Sequence, residues 1–147
     1  METPTAPDLI HLSSHGQSVS VTLAGLEPAY APDDYAVDIV IASSFVNARL
    51  YVLITPDDLD HWAEALDRIE AHETDGAPDD TDGPLTVDWP PASNDGYLRF
   101  IAEDPYVVEV RDAPQSGIVV RVPLDLGPEW ITEARQRIAA VRELLGG

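Results

Sequence analysis

The sequence predicts an α+β fold, antiparallel sheets with two helices packed on one face, and three observations carry that expectation. Short apolar runs alternate with polar residues at period two, two longer stretches repeat their apolar residues at helical spacing, and the order is strands then a helix, twice over. The first four strands accumulate with no helical stretch between them, so parallel crossover units are not expected there.

Taken in order, residues 1–8 are rich in Pro and Thr and are expected to fray. Residues 9–12 are apolar, residues 13–16 carry Ser, His and Gly and read as a turn, and residues 18–23 place Val19, Val21 and Leu23 on a single face, which makes a hairpin. Residues 25–34, with two prolines and a glycine, read as a loop. Tyr35, Val37, Ile39 and Ile41 alternate again, Ser43 and Ser44 mark a turn, and Leu50, Val52 and Ile54 line a further strand.

The first helix has the strongest local signals. Thr55 suits the N-cap and Pro56 the first helical position, while Asp57 and Asp58 favour the positive end of the helix dipole, Asp58 standing at the capping-box position. Leu59, Trp62, Ala63, Leu66 and Ile69 then supply one apolar stripe. Beyond Glu70 this periodicity stops, and residues 71–84 read as an acidic connector. Strands resume at Leu85, Val87 and Trp89, at residues 97–101 and 106–110, and at Ile118, Val120 and Val122. Pro128 is expected to open the second helix, with Trp130, Ala134, Ile138, Val141 and Leu145 as its buried stripe and Gly146 and Gly147 at its end. Trp62 and Trp130 each stand near the start of a helix that follows a hairpin, which points to a strands-then-helix pseudo-repeat.

At 147 residues the chain fits a single domain spanning 1–147, and a chain of this size buries roughly 70% of its unfolded surface. There is no Cys, so disulfides, thiolate nucleophiles and zinc-thiolate sites are excluded together. Residues 1–10 show neither a basic n-region nor an apolar h-region, no long apolar run occurs, and a cytoplasmic protein is expected. Charge is the dominant feature: 27 Asp and Glu stand against 8 Arg, with no Lys, for a net charge of -19. A GC-rich coding bias explains Arg in place of Lys but not the excess of acids. A solubility surface and a selected acidic binding face both account for that excess. Such a polyanion repels phosphate backbones and anionic headgroups, so nucleic acid and membrane surfaces are set aside as partners and a basic protein is expected instead.

Motifs for chemistry are absent. His11 and His15 have a spacing that pairs imidazoles only on a helix, whereas Gly16 and the serines favour a strand and turn. His61 lies one turn after Asp57 and Asp58, the position of a surface ion pair. Asp75, Asp79, Asp80 and Asp82 before Gly83 do not fit the register of a calcium loop, because Gly83 at the turn position would put the first ligand at Pro78 and the last at Trp89. No nucleophile elbow, zinc-helix motif, phosphate loop or dinucleotide fingerprint occurs. No catalytic residue, metal or cofactor is assigned, and a non-enzymatic protein is expected.

The charge is unevenly placed. Between residues 56 and 72, Asp57, Asp58, Asp60, Glu64, Asp67 and Glu70 face Arg68 alone, whereas residues 129–145 balance Glu129, Glu133 and Glu143 with Arg135, Arg137 and Arg142. The candidate partner site is therefore the acidic face of Asp57, Asp60, Glu64 and Asp67, continued by Asp79, Asp80 and Asp82 of the connector.

From Asp8 onward the chain also resembles an actinobacterial family of small acidic proteins described only as a domain of unknown function. The residues that carry the resemblance are Ser44, Phe45 and Val46, then Pro56, Asp58, Leu59 and Trp62, then Ser116 and Gly117, Val122, Pro123 and Leu124, and Trp130 and Ile131. They are mainly strand, cap and core positions, so the resemblance implies a fold and a bacterial cytoplasmic setting, without an activity. Size and acidity also resemble immunity proteins of interbacterial toxin systems, an analogy that implies a binding module neutralising a basic partner. The alternative expectation is a regulatory or structural subunit of a larger assembly, joined through a sheet edge or the Trp-bearing helices. Self-association is left open.

Overall fold

A computed structural model of the chain describes residues 8–24, 34–75, 85–90, 96–103, 106–112 and 116–145. Alternation at period two sets the strands: β1 (Asp8–Ser14), β2 (Gln17–Leu23), β3 (Tyr35–Ala42) and β4 (Asn47–Ile54) precede helix α1 (Pro56–Asp75). Strands β5 (Leu85–Trp89), β6 (Gly96–Ala102), β7 (Tyr106–Asp112) and β8 (Ile118–Leu124) precede helix α2 (Trp130–Leu144). Each group of strands forms its own four-stranded antiparallel sheet in sequential order, β1-β2-β3-β4 and β5-β6-β7-β8. The α+β expectation and the strands-then-helix repeat hold in this arrangement.

Register follows the apolar pattern, because a slip of one residue would turn every apolar side chain to the wrong face. In the first sheet Leu12, Val19, Ile41 and Ala48 form one cross-strand row. In the second, Trp89, Leu98, Val110 and Val120 form the matching row. His15 and Gly16, both at positive φ (50° and 80°), make the two-residue connection between β1 and β2, the backbone that suits the twist of a tight hairpin.

The halves are interleaved. Helix α1 packs on β5 and helix α2 on β1, each on an edge strand of the sheet that it does not follow, and the two helices pack on each other. Between the sheets β4 meets β6 and β8 meets β2, contacts that correspond to each other under an approximate twofold, and β8 also touches β1. One continuous core results, with Trp62, Trp89, Leu66 and Ile69 beneath α1 and Trp130, Ile138 and Val141 beneath α2.

Three boundaries differ from the sequence expectation. Asp8, expected to fray, is the first residue of β1, where its carboxylate accepts the Thr22 hydroxyl at 2.9 Å. Helix α1 runs on to Asp75, five residues into the expected 71–84 connector; its last residues are polar and continue no apolar stripe, so apolar periodicity does not register them. Helix α2 opens at Trp130 and Pro128 lies in the preceding turn, closed by the Trp130 N–H donating to the Gly127 carbonyl at 3.2 Å.

Candidate functional site

The N-terminus of α1 forms as its residues dictate. The Thr55 N–H donates to the Asp58 carboxylate at 2.9 Å, the reciprocal half of a capping box. The Asp58 carbonyl in turn accepts the Trp89 indole N–H at 2.6 Å, which fastens the start of α1 to β5, and Trp62 lies against Trp89 with ring centroids 6.4 Å apart. Helix α1 is thereby fixed with Asp57, Asp60, Glu64 and Asp67 all exposed.

This stripe divides in two. Arg135 of α2 donates to Asp67 at 2.7 Å and to Glu70 at 3.0 Å, and Arg142 of α2 donates to Asp60. Asp57 and Glu64 carry no ion pair among the described residues. Asp79, Asp80 and Asp82 lie outside the described residues. The balanced sequence charge of α2 conceals this arrangement, since two of its three arginines, Arg135 and Arg142, answer acids of the other helix rather than their own.

A second charged surface lies beyond the sequence expectation. On the outer face of the second sheet, Asp88, Arg99, Glu109 and Arg121 stand opposite one another across β5, β6, β7 and β8. Arg99 grips Asp88 through two nitrogens at 2.7 and 3.0 Å, Arg111 donates to Glu109 at 2.6 Å, and Arg121 reaches Glu103 at 2.9 Å and Glu109 at 3.3 Å. The hydrogen bonds from Arg111 hold the Glu109 carboxyl below the usual carboxylate range, against the opposing effect of burial. Five of the eight arginines, at 99, 111, 121, 135 and 142, are thus engaged with the chain's own acids. The signal is a sign that alternates from one strand to the next along the row Asp88, Arg99, Glu109 and Arg121, visible only once register is known.

An apolar cleft of about 180 Å³ opens where the two sheets face each other, floored by Ile39, Ile41 and Val110 and walled by Leu50 on β4 and Val120 on β8. Neither helix lines it. The corresponding strands of each half supply the walls, so it sits on the approximate twofold. Gly96 allows the close approach of the sheets beside it, since a Cβ there would overlap the Leu50 side chain.

The histidines are dispersed. His11 lies 3.4 Å from Asp8, His15 lies 3.8 Å from Asp125 and His61 lies 3.4 Å from Asp58, each an exposed pair. Among the described residues no three His, Asp or Glu side chains converge as metal ligands, and no helix is long and apolar enough to cross a membrane.

A search of the curated proteins finds no match to this sequence. A family model does match, across nearly the whole chain and including both sheets and both helices, at residues 7–146. The chain belongs to that family, described as a family of unknown function (DUF5959).

Proposed function

We propose that this protein is a non-enzymatic binding module of the immunity or antitoxin type, which neutralises a basic partner protein in the cytoplasm of an actinobacterium. The observation that supports the reading is where the cations go. With five arginines bound to internal acids, the field that a partner meets is set by the remaining carboxylates, and the chain's net charge of -19 reaches solvent with little local compensation. Of the exposed acids proposed on α1, Asp57 and Glu64 are the ones left to meet a Lys or Arg, because neither has an ion-pair partner among the described residues. Opposite fields of this kind chiefly accelerate encounter and reject wrong partners.

The test uses the product of the neighbouring gene, where that product is basic, as the partner. Asp57→Lys with Glu64→Lys is expected to slow its association about tenfold at low salt, with the difference shrinking as salt rises. Asp60→Asn with Asp67→Asn, which frees Arg142 and Arg135, is expected to have the smaller effect. Unchanged association of the Lys variant with a confirmed partner would remove α1 from the interface. The reading as a subunit of a larger assembly draws its support from the apolar cleft, which the neutralising role does not use.

A further inference from the structure

We propose that the cleft between β4 and β8 is a self-association site, filled by Phe45 of a second copy of this chain. Size is the first argument. The cleft holds about 180 Å³ above buried Ile39, Ile41 and Val110, and an aliphatic cavity of about 150 Å³ accepts a benzene ring. Phe45 carries such a ring and is 91% exposed at the β3–β4 turn, the most exposed large apolar side chain among the described residues. The turn that presents it is already ordered: the Ser43 hydroxyl oxygen accepts the N–H groups of Phe45 at 3.1 Å and Val46 at 2.7 Å, and the hydroxyl donates to the Val46 carbonyl at 3.0 Å. A preorganised turn loses little entropy when its aromatic tip is captured.

Position is the second argument. Ile41 and Ala48 flank the turn that carries Phe45 and also line the cleft. Knob and hole are therefore neighbours on one hairpin, and a twofold axis beside it places each copy's Phe45 at the other's cleft, a contact that closes at two chains.

Surface chemistry is the third. Although the chain holds 27 acids, residues 39–56 and 113–124 contain none, and these two stretches supply most of the cleft lining. Depletion of charge around an aromatic and aliphatic centre is the compositional mark of a protein interface. Exposed Ile118 on β8 extends the apolar rim. Two opposite charges remain at the mouth, Arg49 and Asp112. Arg49 has no ion pair among the described residues, and Asp112 uses one carboxylate oxygen to accept the Ser116 hydroxyl at 2.7 Å. The same twofold sets Arg49 of each copy against Asp112 of the other. Repulsion between two chains of net charge -19 is confined at physiological salt to separations of about 8 Å, so the local surface decides the contact.

Sedimentation equilibrium of the full chain over a concentration series, at physiological salt, tests the proposal. The expected wild-type species is a dimer. Phe45→Ala is expected to weaken it about 30-fold, the scale of a buried aromatic anchor, and Ile118→Arg to weaken it comparably from the other side of the contact. Arg49→Asp weakens it, and adding Asp112→Arg to that variant restores it. Phe45 and Ile118 are exposed in the single chain, so both single variants keep the wild-type circular dichroism and melt like the wild type at concentrations where it is dissociated. Phe45→Ala changes no charge, and no helix residue lines the cleft, so this variant leaves charge-driven partner association unchanged, which separates this proposal from the function above. A wild-type chain that stays monomeric to its solubility limit overturns the proposal, including the case in which a basic peptide or an apolar small molecule proves to occupy the cleft. So does a dimer that is indifferent to Phe45→Ala.

Discussion

At the scale of single residues, Gly96 has the most confined role. It opens β6 where that strand meets β4, and a Cβ there would overlap Leu50 and stand 3.1 Å from the Arg111 carbonyl oxygen. Nothing about a glycine preceding Tyr97 in the sequence announces this, because the neighbour that needs the space lies 46 positions away along the chain. Overpacking at a sheet junction costs about 1 to 3 kcal/mol. Gly96→Ala is therefore expected to lower stability by that amount in chemical denaturation, and the double variant with Leu50→Ala to lose less than the two single losses added together. Strict additivity would mean that the two side chains do not meet.

At the scale of elements, what is local is legible in the sequence and what is not local is missed. Strands are legible because each sheet keeps one apolar face, and the start of α1 because Thr55, Pro56 and Asp58 sit at their capping positions. The end of α1 is missed because its last residues, His72 to Asp75, are polar and continue no apolar stripe. The candidate site meets a further limit: exposure of Asp57, Asp60, Glu64 and Asp67 follows from the apolar stripe, but the arginines that claim Asp60 and Asp67 come from α2. Those exposed pairs are worth about 0 to 1 kcal/mol each, so they orient the helices without holding them. Trp130 does the holding, stacked on Phe100 at 5.2 Å and edge-on to Tyr106 at 5.5 Å. Trp130→Ala is expected to cost about 3 to 5 kcal/mol, whereas Arg135→Gln costs less than about 1 kcal/mol, a contrast readable in thermal melts. Equal losses would make the ion pairs, and not the aromatic cluster, the basis of helix docking.

At the scale of the whole molecule, a net charge of -19 on 147 residues makes stability a function of salt and pH. Self-repulsion opposes the compact state, so added salt at pH 7 is expected to raise the melting temperature even though it weakens each surface ion pair. Two groups contribute to the pH response with opposite signs. Burial pushes the Glu73 carboxyl up, with Trp130 as a hydrogen-bond donor opposing it; the folded state then binds its proton first, and stability grows as pH falls through the raised value. Glu109 behaves in the opposite sense. Its carboxyl is held down chiefly by hydrogen bonds from Arg111, so its contribution is complete above the ordinary Glu value of about 4.3 and is lost as pH falls from there through the lowered one. The melting temperature should therefore rise as pH falls through the raised Glu73 value, and Glu109 should pull it down once pH falls below the ordinary Glu value of about 4.3. Glu73→Gln is expected to flatten the rise, and Glu109→Gln to lower stability at pH 7 while converging on wild type in acid. A Glu109→Gln deficit of the same size at pH 7 and pH 3 would show that the loss is one of packing, and that the charge lattice of the second sheet does not contribute to acid stability.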